Sequence, residues 1–329
     1  MNHFAQRNHC CYNLKKNVLN DGITSRELAI GITFFLQTMV GIWGNFSFLY
    51  HTQYRLRATG LICKHLTIAN SLVILSNGVP QVMTALGLKQ FFNDFACKLL
   101  LYLQRMGKGM SMGSTCLLCV FQTITVSPVN SCWKDLKVKA PKYIGFFISL
   151  CWIQFTFVNL IFPMYSSGKW NSTNITKKTY MGYCVTIGDE KIIGSLYAAW
   201  IVFPEVSFSV LIVWASGSMV FTLYRHSQRV QYLHRTNRTP RSSAKAKATH
   251  SILVLASTFI CFHTLSSICH IPLAFLHDPS WWLVNTAALS SMCFPSVSPF
   301  LLMSRASMYP GSAFCGEKTQ KSSNHFRKV

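Results

Sequence analysis

Seven stretches of this chain are each long and apolar enough to cross a bilayer, and Lys and Arg crowd into alternate gaps between them. The spans fall at about 28–50, 61–86, 95–123, 143–163, 193–223, 249–276 and 281–303. Each supplies the roughly 20 predominantly apolar residues that a helix needs to cross hydrocarbon. Lipid offers the backbone no hydrogen bonds, so continuous apolar runs of this length are helices. The expected fold is an all-α membrane protein: a seven-helix bundle over 28–303, an N-terminal segment over 1–27 and a tail over 304–329. An odd number of crossings puts the two termini on opposite sides.

The distribution of charge sets the orientation. Half of the residues are hydrophobic and only 12% are charged, against about 25% charged in soluble domains. A net charge of +22 invites a nucleic-acid reading, but the basic residues are sorted by side rather than gathered on one domain. Arg55 and Arg57 follow span one, and Lys134, Lys137, Lys139 and Lys142 follow span three. Arg225, Arg229, Arg235, Arg238, Arg241, Lys245 and Lys247 follow span five, and Arg305, Lys318, Lys321, Arg327 and Lys328 fill the tail. Acids lean the other way, with Asp21, Glu27, Asp94, Asp189, Glu190 and Asp278 on the opposite side. Positive loops resist translocation, so the amino terminus is expected outside and the carboxyl terminus inside. Nucleic acid is not an expected partner. Residues 1–26 are polar and lack a short apolar run with a small-residue cleavage site, so span one is expected to act as its own insertion signal.

The cysteines divide by position. Most of the thirteen lie inside spans, where a thiol behaves as a small apolar group. The Cys116 and Cys119 pair sits among leucines of span three and reads as packing rather than metal binding; no metal or cofactor site is expected. Cys97, at the mouth of span three, and Cys184, in the loop before span five, both face the oxidising side, where disulfides persist. A bridge between them would pin the loop over the bundle. The same loop carries two consecutive acceptors for N-linked glycosylation, Asn171-Ser172-Thr173 and Asn174-Ile175-Thr176. Adjacent acceptors are hard to occupy together, and Asn174 is the expected one, with Asn171 the alternative.

Ionisable groups within a membrane are costly and usually functional. Span three holds two of them, Arg105 and Lys108, three residues apart and therefore on one helix face. Gly107, Gly109 and Gly113 thin the neighbouring face. Span five holds Glu205, directly after Pro204. One reading is an outer cavity in which Glu205 pairs with one cation and leaves the other for an anionic or hydrogen-bond-accepting ligand. The other is that the cations snorkel to the interface or that the three charges only lock the helices together. Asn45 and Asn70 lie mid-span, where amides bridge helices. Pro80, Pro272, Pro295 and Pro299 read as kinks, Trp152 as a packing anchor, and Met106, Met110 and Met112 as gap fillers.

On the inner side, residues 224–231 continue span five as a basic extension carrying Arg225 and Arg229, and more basic residues follow as far as Lys247. Such a cluster binds anionic membrane lipids or forms a docking face for a cytosolic protein. Cys315 is a weak palmitoylation candidate. The chain lacks a Gly-rich phosphate loop and HExxH, so no enzyme is expected.

Six short motifs, in order along the chain, resemble the vomeronasal type-1 receptor family. They are Leu66-Thr67-Ile68-Ala69-Asn70-Ser71-Leu72-Val73 with Gly78-Val79-Pro80-Gln81; Ser114-Thr115-Cys116-Leu117-Leu118 with Phe121-Gln122-Thr123-Ile124; Lys137-Val138-Lys139-Ala140-Pro141-Lys142; Trp214-Ala215-Ser216-Gly217-Ser218 with Tyr224-Arg225-His226; Thr264-Leu265-Ser266-Ser267; and Cys293-Phe294-Pro295 with Ser298-Pro299-Phe300. The resemblance runs from about Phe34 to Met303. It implies a rhodopsin-like G-protein-coupled receptor for small chemosensory or pheromone-like molecules, acting at the plasma membrane of sensory neurons. It also implies a heterotrimeric G protein of the inhibitory type as partner, Cys97 and Cys184 as the bridging pair, Asn174 as the glycan acceptor and Arg105 as a family position. Gln122, Lys137, Arg225 and Arg229 are the expected docking residues for the G protein.

Some positions depart from related patterns. Rhodopsin-like receptors generally end the third helix with Asp/Glu-Arg-Tyr, where this chain has Phe121-Gln122-Thr123. Their acid in the second helix is Asn70 here, so no sodium pocket is expected. The resembled family's first inner loop usually reads Leu-Arg-Pro-Thr-Asp, and here it is Leu56-Arg57-Ala58-Thr59-Gly60. A small-solute transporter is the competing class, but no repeated pair of interrupted helices supports it. Within the receptor class, a bitter-taste-like receptor is the rival.

Overall fold

The structure is a computed structural model and describes residues 25–52, 58–87, 94–127, 134–160, 166–167, 178–180, 185–187, 191–232, 240–275 and 280–307. Seven long helices make up almost all of it: α1 (Ser25–Thr52), α2 (Ala58–Ala85), α3 (Asp94–Val126), α4 (Lys134–Asn159), α5 (Lys191–Tyr232), α6 (Pro240–Phe275) and α7 (Trp281–Ser307). All seven contain a window long and apolar enough to cross a membrane. The fold is therefore the all-α seven-helix bundle expected from the apolar runs.

Helix α3 is the hub. Of its apolar window, 72% is buried against other helices, compared with 17% for α5. It packs against α2, α4, α5 and α6, and a core of Leu66, Met110, Met112, Leu118, Ile212, Met219 and Leu255 closes around it. Large apolar side chains such as Trp43, Phe46, Phe146, Phe157 and Phe203 point outward instead. An exposed apolar surface of that extent is what hydrocarbon, rather than water, covers.

Two local features place the site. Helix α2 widens into a π turn at Ile74–Gly78 immediately before Pro80. Proline has no N–H to donate and crowds the carbonyl four residues earlier; an extra residue in the turn relieves both, which is why π turns recur at such points. Ser76 completes the turn by donating to the Leu72 carbonyl at 2.6 Å. The feature expected as a kink at Pro80 is thus a change of register that turns Asn77 and Gln81 toward the bundle interior. The second feature is close approach at α3. A Cβ on Gly107 would come within 2.9 Å of Val73, and one on Gly109 would collide with the Phe155 ring. These glycines let α2 and α4 approach.

A small antiparallel sheet of order β1-β3-β2 lies between α4 and α5 in the chain, with β1 (Ser166–Ser167), β2 (Lys178–Tyr180) and β3 (Val185–Ile187). Ser166 pairs with Thr186, and Thr179 with Thr186 from the other side. β1 lies against α3. Asn171, Asn174, Cys184 and Cys315 fall outside the described residues.

Candidate functional site

The bundle has a cavity of about 360 Å³ in the half that holds the N-terminal end of α3, the outer half in the expected topology. Six helices line it. Its walls are apolar and aromatic where Leu101, Met112, Phe155, Phe259, Phe262 and Phe294 face inward, and its polar groups come from Gln104, Arg105 and Lys108 of α3, Asn77 and Gln81 of α2, Glu205 of α5, and His263 and His270 of α6. An apolar pocket of this size with a few convergent polar groups is the usual form of a small-molecule site.

The sequence-derived trio Arg105, Lys108 and Glu205 is brought together here. Lys108 is close enough to Arg105 and Glu205 to feel the like charge of one and the opposite charge of the other. Their helical spacing puts Arg105 and Lys108 on one face, and Pro204 sets the backbone just before Glu205 on the opposite wall. The polar end therefore carries two positive charges against one negative.

Two further groups escaped the sequence reading. His263 lies within reach of the charges of Glu205 and Lys108, and His270 within reach of those of Lys108 and Arg105. His263 stacks on Phe259 with ring centroids 5.4 Å apart and 9° between planes. The available signal was His263, Ser266, Ser267 and His270, a polar stripe at the three-, four- and seven-residue spacing of one helix face.

Beneath the cavity lies a floor of neutral hydrogen bonds. Ser111 donates to Asn70 Oδ1 at 2.8 Å, and Asn70 Nδ2 donates to Ser298 Oγ at 2.7 Å. Asn45 Nδ2 donates to the carbonyls of Gly41 at 2.8 Å and Pro295 at 3.0 Å. Asn77 Nδ2 reaches Ser291 Oγ at 3.0 Å. These bonds tie α1, α2, α3 and α7, so the mid-span amides bridge helices. Asn70 stands among hydroxyls, and among the described residues no group of three or more His, Cys, Asp or Glu could hold a metal. Trp152 does more than pack, since its Nε1 donates to His65 Nδ1 of α2 at 3.1 Å.

The inner end is closed. Gln122 is buried, and its Nε2 donates to Thr249 Oγ1 of α6 at 2.9 Å. Thr123 donates to the Ala215 carbonyl of α5 at 3.1 Å. Lys137 donates from Nζ to the Ser127 carbonyl at 2.9 Å. Gln122, expected at a docking surface, is therefore an interhelical link in this conformation, because the face of α3 that carries it turns toward α6. Arg225 is exposed, with its guanidinium 5.6 Å from the Phe221 ring centroid. Arg229 lies on the same helical extension of α5, its side chain outside the described residues. Cys97 is buried at the start of α3 and is disulfide-bonded. Cys116, Cys119 and Cys151, buried among the helices, form no disulfide.

Against known proteins, residues 28–309 match the model of the vomeronasal organ pheromone receptor family. The chain is similar to the human vomeronasal type-1 receptor 4, at 50% identity over 86% of this chain and 95% of that one. It is similar also to the human vomeronasal type-1 receptor 2, at 49% identity over 89% of this chain and 76% of the other. Its helices superpose on squid rhodopsin with a TM-score of 0.63 at 14% identity, covering 87% of this chain and 81% of that structure, a likeness of fold.

Proposed function

The chain belongs to the vomeronasal type-1 receptor family, and we propose that its cavity is the site where a small organic ligand binds and biases the bundle toward G-protein activation. It is a multi-pass membrane receptor of chemosensory type and not an enzyme. The reading of the cavity rests above all on one observation: two basic residues of α3 and a single acid of α5 line the same apolar-walled space. Arg105 and Lys108 together attract an anionic or acceptor-bearing group, and Glu205 holds the balance of charge while the site is empty. A ligand that fits one helix arrangement better than another shifts a pre-existing equilibrium.

The amino terminus lies outside and the carboxyl terminus inside the plasma membrane of sensory neurons. Cys97 bridges to Cys184, and Asn174, or else Asn171, carries the glycan. On the inner side Lys137, Arg225 and Arg229 form the basic rim that receives a heterotrimeric G protein of the inhibitory type, and they also contact anionic lipid head groups. Gln122 becomes part of that surface once α6 swings away from α3.

Expression with a reporter of G-protein activation, screened against volatile and steroid-like organic compounds, tests this reading. Arg105→Ala and Lys108→Ala are expected to weaken agonist potency by about tenfold or more each, the cost of losing a hydrogen bond to a charged group. Agonists that act equally well on both variants would place the ligand elsewhere.

A further inference from the structure

We propose that His270 is a third polar contact at the cationic end of the cavity, its Nε2–H donating to the same acceptor group that Arg105 and Lys108 attract. The inference rests on the cavity being the ligand site. His270 reaches that space from α6, across from the α3 cations. Its Nε2 is buried and has no hydrogen-bond partner. Five buried side-chain atoms of the described residues share that state, the others being Thr38 Oγ1, Asn45 Oδ1, Ser114 Oγ and Ser216 Oγ. Of the five residues, only His270 lines the cavity.

Burying a polar atom without a partner is costly, and native structures leave few such atoms unexplained. His270 lines the cavity while its Nε2 is shielded in this arrangement, so the ring must turn about its Cβ–Cγ bond to present that N–H to an occupant. The position also fits the charges. His270 stands where Arg105 and Lys108 both act on it, while His263, two turns earlier on the same face, stands within reach of Glu205. Lys108 acts on both imidazoles, but Glu205 acts on His263 and Arg105 on His270. A neutral ring at the second place adds a directional donor without a third positive charge. Lysine is a point charge that accepts many geometries, so a fixed ring N–H adds selectivity for where the acceptor oxygens sit.

The test uses the full chain in lipid nanodiscs and two fluorescent probes. One is 1-anilinonaphthalene-8-sulfonate, an oxyanion on an apolar ring body; the other is N-phenyl-1-naphthylamine, the same body without the sulfonate. His270→Phe keeps an aromatic ring and removes the donor, and His270→Gln restores a donor. Expected are about a tenfold loss of sulfonate affinity in His270→Phe, amine binding within about twofold of the unmodified chain, and recovery of most sulfonate affinity in His270→Gln. If His270→Phe binds the sulfonate normally while Arg105→Ala and Lys108→Ala lose it, the role of His270 falls and the cavity reading stands. Equal loss of both probes in His270→Phe, without rescue by His270→Gln, makes the ring a packing element and also overturns the proposal. If no variant changes sulfonate binding, or the unmodified chain takes up no more sulfonate than an empty nanodisc, both readings fall together.

Discussion

Helix α3 meets two opposite environments along its length. In its outer half Arg105 and Lys108 stand around open space with Glu205, His263 and His270 for company. In its inner half Gln122 and Thr123 meet α6 and α5 at hydrogen-bond distance, with no charge on either side of these contacts. Burial of a charge is expensive unless it is paired, so charges gather where a ligand or water can complete them. Neutral hydrogen bonds contribute only about 0.5–1.5 kcal/mol each on balance, so they suit a contact that must open. On the proposed function, the outer half holds a ligand and the inner half opens.

If the two halves differ in this way, the boundary between them must be rigid, and Gly109 offers the largest test. A methyl group there collides with Phe155, and Phe155 in turn packs against Phe208 of α5 with centroids 5.6 Å apart. Gly109→Ala is expected to destabilise the bundle by about 1–3 kcal/mol, the usual cost of overpacking, read as a lower thermal midpoint of purified receptor. Gly145 on α4 has nothing within 4 Å of its would-be Cβ. Gly145→Ala should be neutral or stabilise by about 0.5–1 kcal/mol through helix propensity. Equal effects at the two sites would mean that the boundary is soft and the contrast between the halves is a static picture only.

The floor gives an effect of the same order. Asn70 joins Ser111 of α3 to Ser298 of α7, and Asn70→Leu leaves two buried hydroxyls seeking other partners. We expect a loss of about 1–3 kcal/mol, again by thermal unfolding, with Ser111→Ala in the Asn70→Leu background recovering part of it. A fully additive pair would show that these residues do not form one network.

Much of this was legible in the sequence, for a physical reason. Twenty apolar residues in a row have few alternatives to a membrane helix, and Arg105 and Lys108 stand out because charge is rare in such runs. The histidines were missed because an uncharged ring in a span is cheap enough to pass as packing; only its alignment with Ser266 and Ser267 on one face marks it. The π turn was illegible because Pro80 requires some relief but does not specify its form. That choice follows from packing, since Gly78 lies so close to Thr38 of α1 that a Cβ there would collide with its hydroxyl. Gln122, expected among the docking residues, is buried against α6 in this arrangement. Whether such a residue faces water or a neighbouring helix depends on the rotation of α3 relative to α6, which only the assembled bundle decides.

The smallest expected effect addresses the inner half directly. Thr249→Val removes the hydroxyl that accepts from Gln122 with little change of shape and leaves a buried amide donor without its partner in the closed arrangement. Opening lets that amide reach water, so the equilibrium should move toward the open form by about 1 kcal/mol, or roughly fivefold, seen as raised reporter signal without agonist. Adding Gln122→Leu removes the stranded donor, and replacing both partners by apolar groups of similar shape is nearly neutral. The double variant should therefore signal less without agonist than Thr249→Val alone, even though it lacks both halves of the bond. A simple loss of a strut predicts the reverse, with the double variant at least as active as either single one. The sign of that difference decides whether the inner contact is held by the hydrogen bond itself or by the packing around it.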